Sequence, residues 1–151
     1  MATQRQLIGA DAISRLETIH IGVGEFETDA GDHVFIGERV DLGKDDPDEV
    51  LLIVFGDDQV TKDTPKTMLT LPIEVQAVVK VTPANAWLRI ETMLGDIKRA
   101  MEFDQVRGRR ELATYPMRRG TTRTLPREPG STTVGVGVTY EIDYNEPWGT
   151  P

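Results

Sequence analysis

Apolar residues occupy every second position through residues 67–82, where Leu69, Leu71, Ile73, Val75, Ala77, Val79 and Val81 alternate with Thr70, Glu74, Gln76 and Lys80. Successive side chains leave a pleat on opposite sides, so this period of two predicts a long strand with one buried face. The period then changes. Across 83–103, Trp87, Ile90, Leu94, Ile97 and Met101 recur at helical spacing. Thr82 and Pro83 read as the N-cap and first position of that helix. A strand running straight into an amphipathic helix buries both apolar faces most simply when the helix folds back over the sheet.

The same two periods place the other elements. Thr3 and Gln6 match a capping box, and Ile8, Ala12, Leu16 and Ile19 follow at helical spacing, predicting a first helix over 4–20. Gly22 and Gly24 break it, and polar turn residues lead to a short strand around 33–40. Residues 50–55, VLLIVF, are apolar throughout, which predicts a strand covered on both faces or lying near a subunit contact. Residues 56–66 read as a polar turn into the long strand. At the other end, Val134, Val136, Val138, Tyr140, Ile142 and Tyr144 alternate with Thr133, Gly135, Gly137, Thr139, Glu141 and Asp143. This closing strand matches the long one in length and pattern, so the two are expected to pair antiparallel. The predicted fold is α+β: one domain over 1–151, with an antiparallel or mixed β-sheet of long strands packed against two main α-helices.

Composition narrows the function. The 151 residues fit one domain with a core of its own. There is no cysteine, which removes disulfides, thiolate metal sites and a cysteine nucleophile. No apolar run approaches the roughly 20 residues that span a bilayer, and the first ten residues lack a signal-peptide core, so a soluble protein used without export and without a membrane partner is expected. The formal charge of -8 is unevenly distributed. Residues 1–66 hold 15 acidic and 6 basic residues, a net of -9, whereas 104–131 hold 3 acidic residues and 7 arginines, a net of +4. One part can therefore attract another, within a copy or between copies head to tail. The overall acidity opposes sequence-specific DNA binding, which needs a basic face.

Candidate chemistry is sparse, and no cofactor, metal or catalytic set is expected. His20 ends the first helix and His33 starts a strand, positions of caps and surface residues. The acidic loop with Asp45, Asp46, Asp48 and Glu49 lacks the alternating ligands and central glycine of a calcium loop. Gly135 and Gly137 lie inside a strand pattern with no helix after them, which predicts close approach of a neighbouring element, not a phosphate cradle. Ser14 and Ser131 lack a G-x-S-x-G context, and no carboxylate spacing singles out an acid and base.

One constellation remains: Arg107, Arg109, Arg110, Arg118, Arg119, Arg123 and Arg127, in a stretch with scattered Pro and Gly and no sustained period. Residues 104–131 read as a long arginine-rich loop or arm, a length that tends to be functional or disordered. A solvated loop, an inter-subunit or partner-docking arm and a nucleic-acid contact are all open. Docking is the expectation, because arginine is favoured at interfaces and the chain offers acidic counterparts. Only Tyr115 is an aromatic neighbour, so base stacking is not implied.

With these residues in view, the chain resembles the tail terminator or tail-completion proteins of long-tailed bacteriophages. The resemblance lies in the N-terminal helix, the VFIGER stretch at 34–39, the long strand leading to a helix that contains GDIKRAM at 95–101, and the closing VGVTYEIDYNEPWGTP at 136–151. These cover most of the chain in the right order, and 104–131 matches least. The resemblance implies a virion protein without enzymatic activity, assembled in the host cytoplasm into a hexameric ring at the head-proximal end of the tail. Its implied partners are its own copies, the major tail tube protein and the head–tail connector or neck protein, with DNA passing through the lumen unread. A neck or head-completion protein is the alternative within phage structure. A small α+β enzyme or ligand-binding domain is the alternative from another class.

Overall fold

The fold is a curled, mixed seven-stranded sheet with two main helices, seen in a computed structural model that describes residues 2–37, 47–62, 66–102, 111–125 and 130–147. Helix α1 spans Gln4–Leu16 and α2 spans Ala86–Glu102. The strands are β1 Val34–Ile36, β2 Glu49–Phe55, β3 Gln59–Lys62, β4 Thr67–Lys80, β5 Glu111–Leu112, β6 Tyr115–Thr124 and β7 Thr133–Glu146. Their order across the sheet is β1-β2-β4-β7-β6-β5, with β3 alongside β4 beyond the end of β2. Every pairing is antiparallel except β1 with β2.

The two long alternating segments pair in one register from Thr67↔Glu146 to Lys80↔Thr133. This puts Val75 opposite Val138 and Ala77 opposite Val136, so both apolar sets share a face. The buried stripes of α1 (Ile8, Ala12, Leu16) and α2 (Met93, Leu94, Ile97, Ala100, Met101) pack on that face and form one core. Helix α1 touches β1, β2 and β5, so the sheet curls around it. Gly9 lets it sit down: a Cβ there would lie 3.0 Å from the Phe55 ring and 3.3 Å from Ile36. At its start, the capping box forms as predicted between Thr3 and Gln6. Val50, Leu52 and Val78 make a second buried cluster on the opposite face, which is why VLLIVF is apolar throughout.

Helix α1 stops at Leu16, because the N–H groups of Thr18 and Ile19 bond to Arg15 and Leu16 in tighter turns and Gly22 and Gly24 follow with positive φ. Helix α2 begins at Ala86. Before it, the Asn85 side chain accepts from the Thr82 N–H (2.7 Å) and the Asn85 carbonyl accepts from Arg89 N–H, so Pro83 precedes the helix. Trp87 does not join the core and is 74% exposed. At about 100° per residue it lies roughly 80° round the helix from Ile97, outside the buried arc.

The polar stretch 56–66 contains β3, whose four side chains are all exposed and therefore show no apolar alternation. Gly56 carries the chain onward along β4 by donating its N–H to the Pro72 carbonyl at 2.7 Å. The described part of 104–131 is not a loop, since β5 and β6 form a hairpin on the edge of the sheet. Its two turn residues, Ala113 (φ 50) and Thr114 (φ 72), are left-handed without glycine or asparagine, so the usual hairpin signal is missing. The Ala113 N–H donates to Asp11 of α1 at 2.7 Å and ties the turn down. The acidic residues 41–46, the end of the VFIGER stretch and the tail from 148 lie outside the described residues. No described helix is long and apolar enough to cross a membrane.

A β-branched residue at positive φ costs roughly 1 kcal/mol. Thr114→Gly is therefore expected to raise unfolding stability by about 1 kcal/mol, read as a higher midpoint in urea with an unchanged slope.

Candidate assembly surface

Strand β6 presents its arginines alternately to the two sides of the sheet. Arg118 and Arg123 lie on the face without helices. Arg118 donates to Glu141 at 3.0 Å and to Asp143, which also accepts from the Thr70 hydroxyl at 2.7 Å. Arg123 donates through Nε and Nη2 to the two oxygens of Glu74, each at 2.6 Å. Glu74 further accepts from Gln76 Nε2 at 2.5 Å and from the Thr139 hydroxyl at 3.5 Å. Arg119 points to the helix side and meets Glu102 of α2 at 3.4 Å.

The Glu74–Arg123 pair spans an intervening strand. Glu74 belongs to β4 and Arg123 to β6, with β7 between them. They meet over Gly137, where a Cβ would lie 2.9 Å from the Glu74 carboxylate. Gly135 likewise sits under Leu125, whose Cδ1 would be 2.7 Å from a Cβ. The close approach expected of these glycines is present, with a salt bridge over one and an apolar side chain over the other.

Of the seven arginines singled out from the sequence, Arg107, Arg109, Arg110 and Arg127 lie outside the described residues. The other three, Arg118, Arg119 and Arg123, all have carboxylate partners within the chain, drawn from β4, α2 and β7 and not from the acidic first 66 residues. They are strand residues in intrachain pairs, not charges on a free arm.

Two other clusters tie down the start of α1 and the segment that follows it. Arg5 and the Tyr144 hydroxyl both reach Asp58 Oδ2 at 2.9 Å, and the Arg5 guanidinium lies 5.4 Å over Phe55. Burial, reinforced by the Asp58 contact, raises the Tyr144 pKa. Asp96 is fully buried in α2 and accepts from the Glu27 N–H (3.1 Å), the Thr28 hydroxyl (2.7 Å) and Arg99 (2.9 Å). It pins the segment after α1 onto α2. Sequence reading missed it, although a carboxylate three residues after Met93 and four before Ala100 falls on the apolar stripe.

Beside Asp96 lies a cleft of ≈ 810 Å³ walled by Val23, Phe26, Lys98, Arg99, Glu102 and Arg119. His20 approaches Asp32 at 3.5 Å and Asp29 at 3.9 Å near the end of α1, and the His33 carbonyl accepts from Leu51 N–H. No group of three or more His, Asp or Glu side chains among the described residues is arranged to hold a metal. No family model matches the chain, and no curated protein matches it.

The ion pairs set an acid response. Hydrogen bonds from Arg123 hold the Glu74 carboxyl below its usual range, and Arg118 does the same for Asp143. A carboxyl depressed on folding adds stability above its unfolded pKa, and that stability is lost as pH falls through the folded value. Glu49 runs the other way, because burial raises it and Arg89 only partly offsets this. Arg123→Met is expected to flatten the loss of stability between about pH 5 and about pH 3, measured by urea unfolding at each pH. An unchanged profile would mean that the Glu74 pair carries no acid linkage.

Proposed function

We propose that this chain is a structural subunit of a phage tail. Copies close into a hexameric ring on the head-proximal end of the tube, end its growth and offer the surface to which the neck binds. The observation that carries this reading is the helix-free side of the β4–β7 pair. Both helices pack on one face, and the other is mostly polar, with Thr70, Glu74 and Gln76 of β4 beside Thr139, Glu141 and Asp143 of β7, up to the buried Val78. Its arginines already hold carboxylates: Glu74, Glu141 and Asp143 against Arg118 and Arg123.

Such a surface suits a passage for DNA. Free arginines would bind phosphate and release counterions, whereas arginines engaged by a slight excess of carboxylate compete poorly for it. The element order supports the same reading, since an N-terminal helix, a long strand running into a helix and a long closing strand follow one another as in the phage family the sequence resembles.

The test is electron microscopy of lysates from the native phage with this gene deleted, scoring tail length and head attachment. Overlong tubes without heads are the expected result. Tails of normal length beside filled, unattached heads would overturn the terminator role and move the protein to the neck.

A further inference from the structure

Helix α2 carries two unlike features on its solvent side. Near its start, Trp87 and Leu88 are 74% and 61% exposed, the two largest neighbouring apolar side chains left uncovered on one helix. Glu91 is exposed one turn further on. Near its end, Lys98 and Arg99 wall the ≈ 810 Å³ cleft, whose apolar part comes from Val23 and Phe26 of the segment after α1. Eleven residues separate Trp87 from Lys98, about three turns and about 16 Å, so both point to nearly the same side of the helix. Among the described residues, neither Glu91 nor Lys98 has an ion-pair partner.

We infer that the Trp87–Leu88 knob of one copy docks in the Val23–Phe26 cleft of a second copy, with Glu91 of the first beside Lys98 of the second. Four observations point to another copy as the occupant. The knob is aromatic and aliphatic, the residue types that anchor interfaces from within a pocket. The cleft offers an apolar floor with guanidinium groups on its walls, and arginine is likewise enriched at interface cores. Glu91 beside the knob and Lys98 on the cleft wall, which Glu25 also lines, are opposite charges brought from the two partners. Finally, knob and cleft lie about 16 Å apart on one side of α2, so two copies set with their α2 helices antiparallel exchange both contacts about a twofold axis. This contact pairs copies and is separate from the one that closes the proposed ring.

The absence of native cysteine makes the test clean. Two single variants, Leu88→Cys and Val23→Cys, are mixed and oxidised. Both positions are exposed, so neither change disturbs the core. The expected product is a disulfide dimer holding one of each variant, in excess over either self-linked species. Adding Lys98→Glu to the Val23→Cys copy is expected to lower the apparent affinity about tenfold, and adding Glu91→Lys to the Leu88→Cys copy restores it. Mixed dimers no more abundant than those formed with Lys62→Cys, or charge reversals without effect, would overturn the contact. The two readings fail separately. Rings on tails without the mixed disulfide would discard this contact alone, and the mixed disulfide in a protein whose deletion leaves tails unchanged would discard the terminator role alone.

Discussion

The antiparallel pairing of β4 with β7, held in one register along both strands, sets the position of every other element. Because side chains alternate across a pleat, that register decides which residues enter the core and which form the opposite wall. With β4 in place, a slip of one residue would turn Val138 and Tyr140 of β7 outward and bring Glu141 and Asp143 under the helices. The helices therefore depend on the register, and so does the curl that brings α1 against both β1 and β5.

The polar wall follows from the same constraint. Glu74 and Arg123 are two strands apart and bond only because Gly137 leaves the space between them empty. Glycine weakens a strand interior, and here the bidentate pair above it offsets part of that cost. The pair also holds β6 to the sheet. Strand β6 has few apolar contacts of its own, since Met117 is buried while residues 118–124 are exposed. Its backbone ladder to β7 and its arginine partners supply what a hydrophobic stripe supplies elsewhere.

That difference explains what the sequence made legible. β4, β7, α1 and the buried arc of α2 could be read because burial imprints a period on apolar residues. β3 and β6 could not, because strands with exposed side chains carry no such period. The β5–β6 turn was hidden because Ala113 and Thr114 are not turn residues, and Asp11, distant in sequence, holds them. Trp87 was misplaced because approximate helical spacing extends past the true buried arc. The arginine cluster was visible as composition, but its partners were not, since the meeting of Arg123 with Glu74 depends on strand order and on a glycine in between. Asp96 was missed although it carries a readable signal, a carboxylate on an apolar helical stripe.

A sheet covered by helices on one side only presents a charge-paired surface on the other, and in the proposed ring that surface faces inward. Single-particle electron microscopy of the purified chain bound to tail tubes tests this most directly. The account predicts a closed hexameric ring at one end of the tube, with the β4–β7 wall lining the lumen and α1 and α2 on the outside. Helices lining the lumen, or single copies bound without a ring, would contradict it.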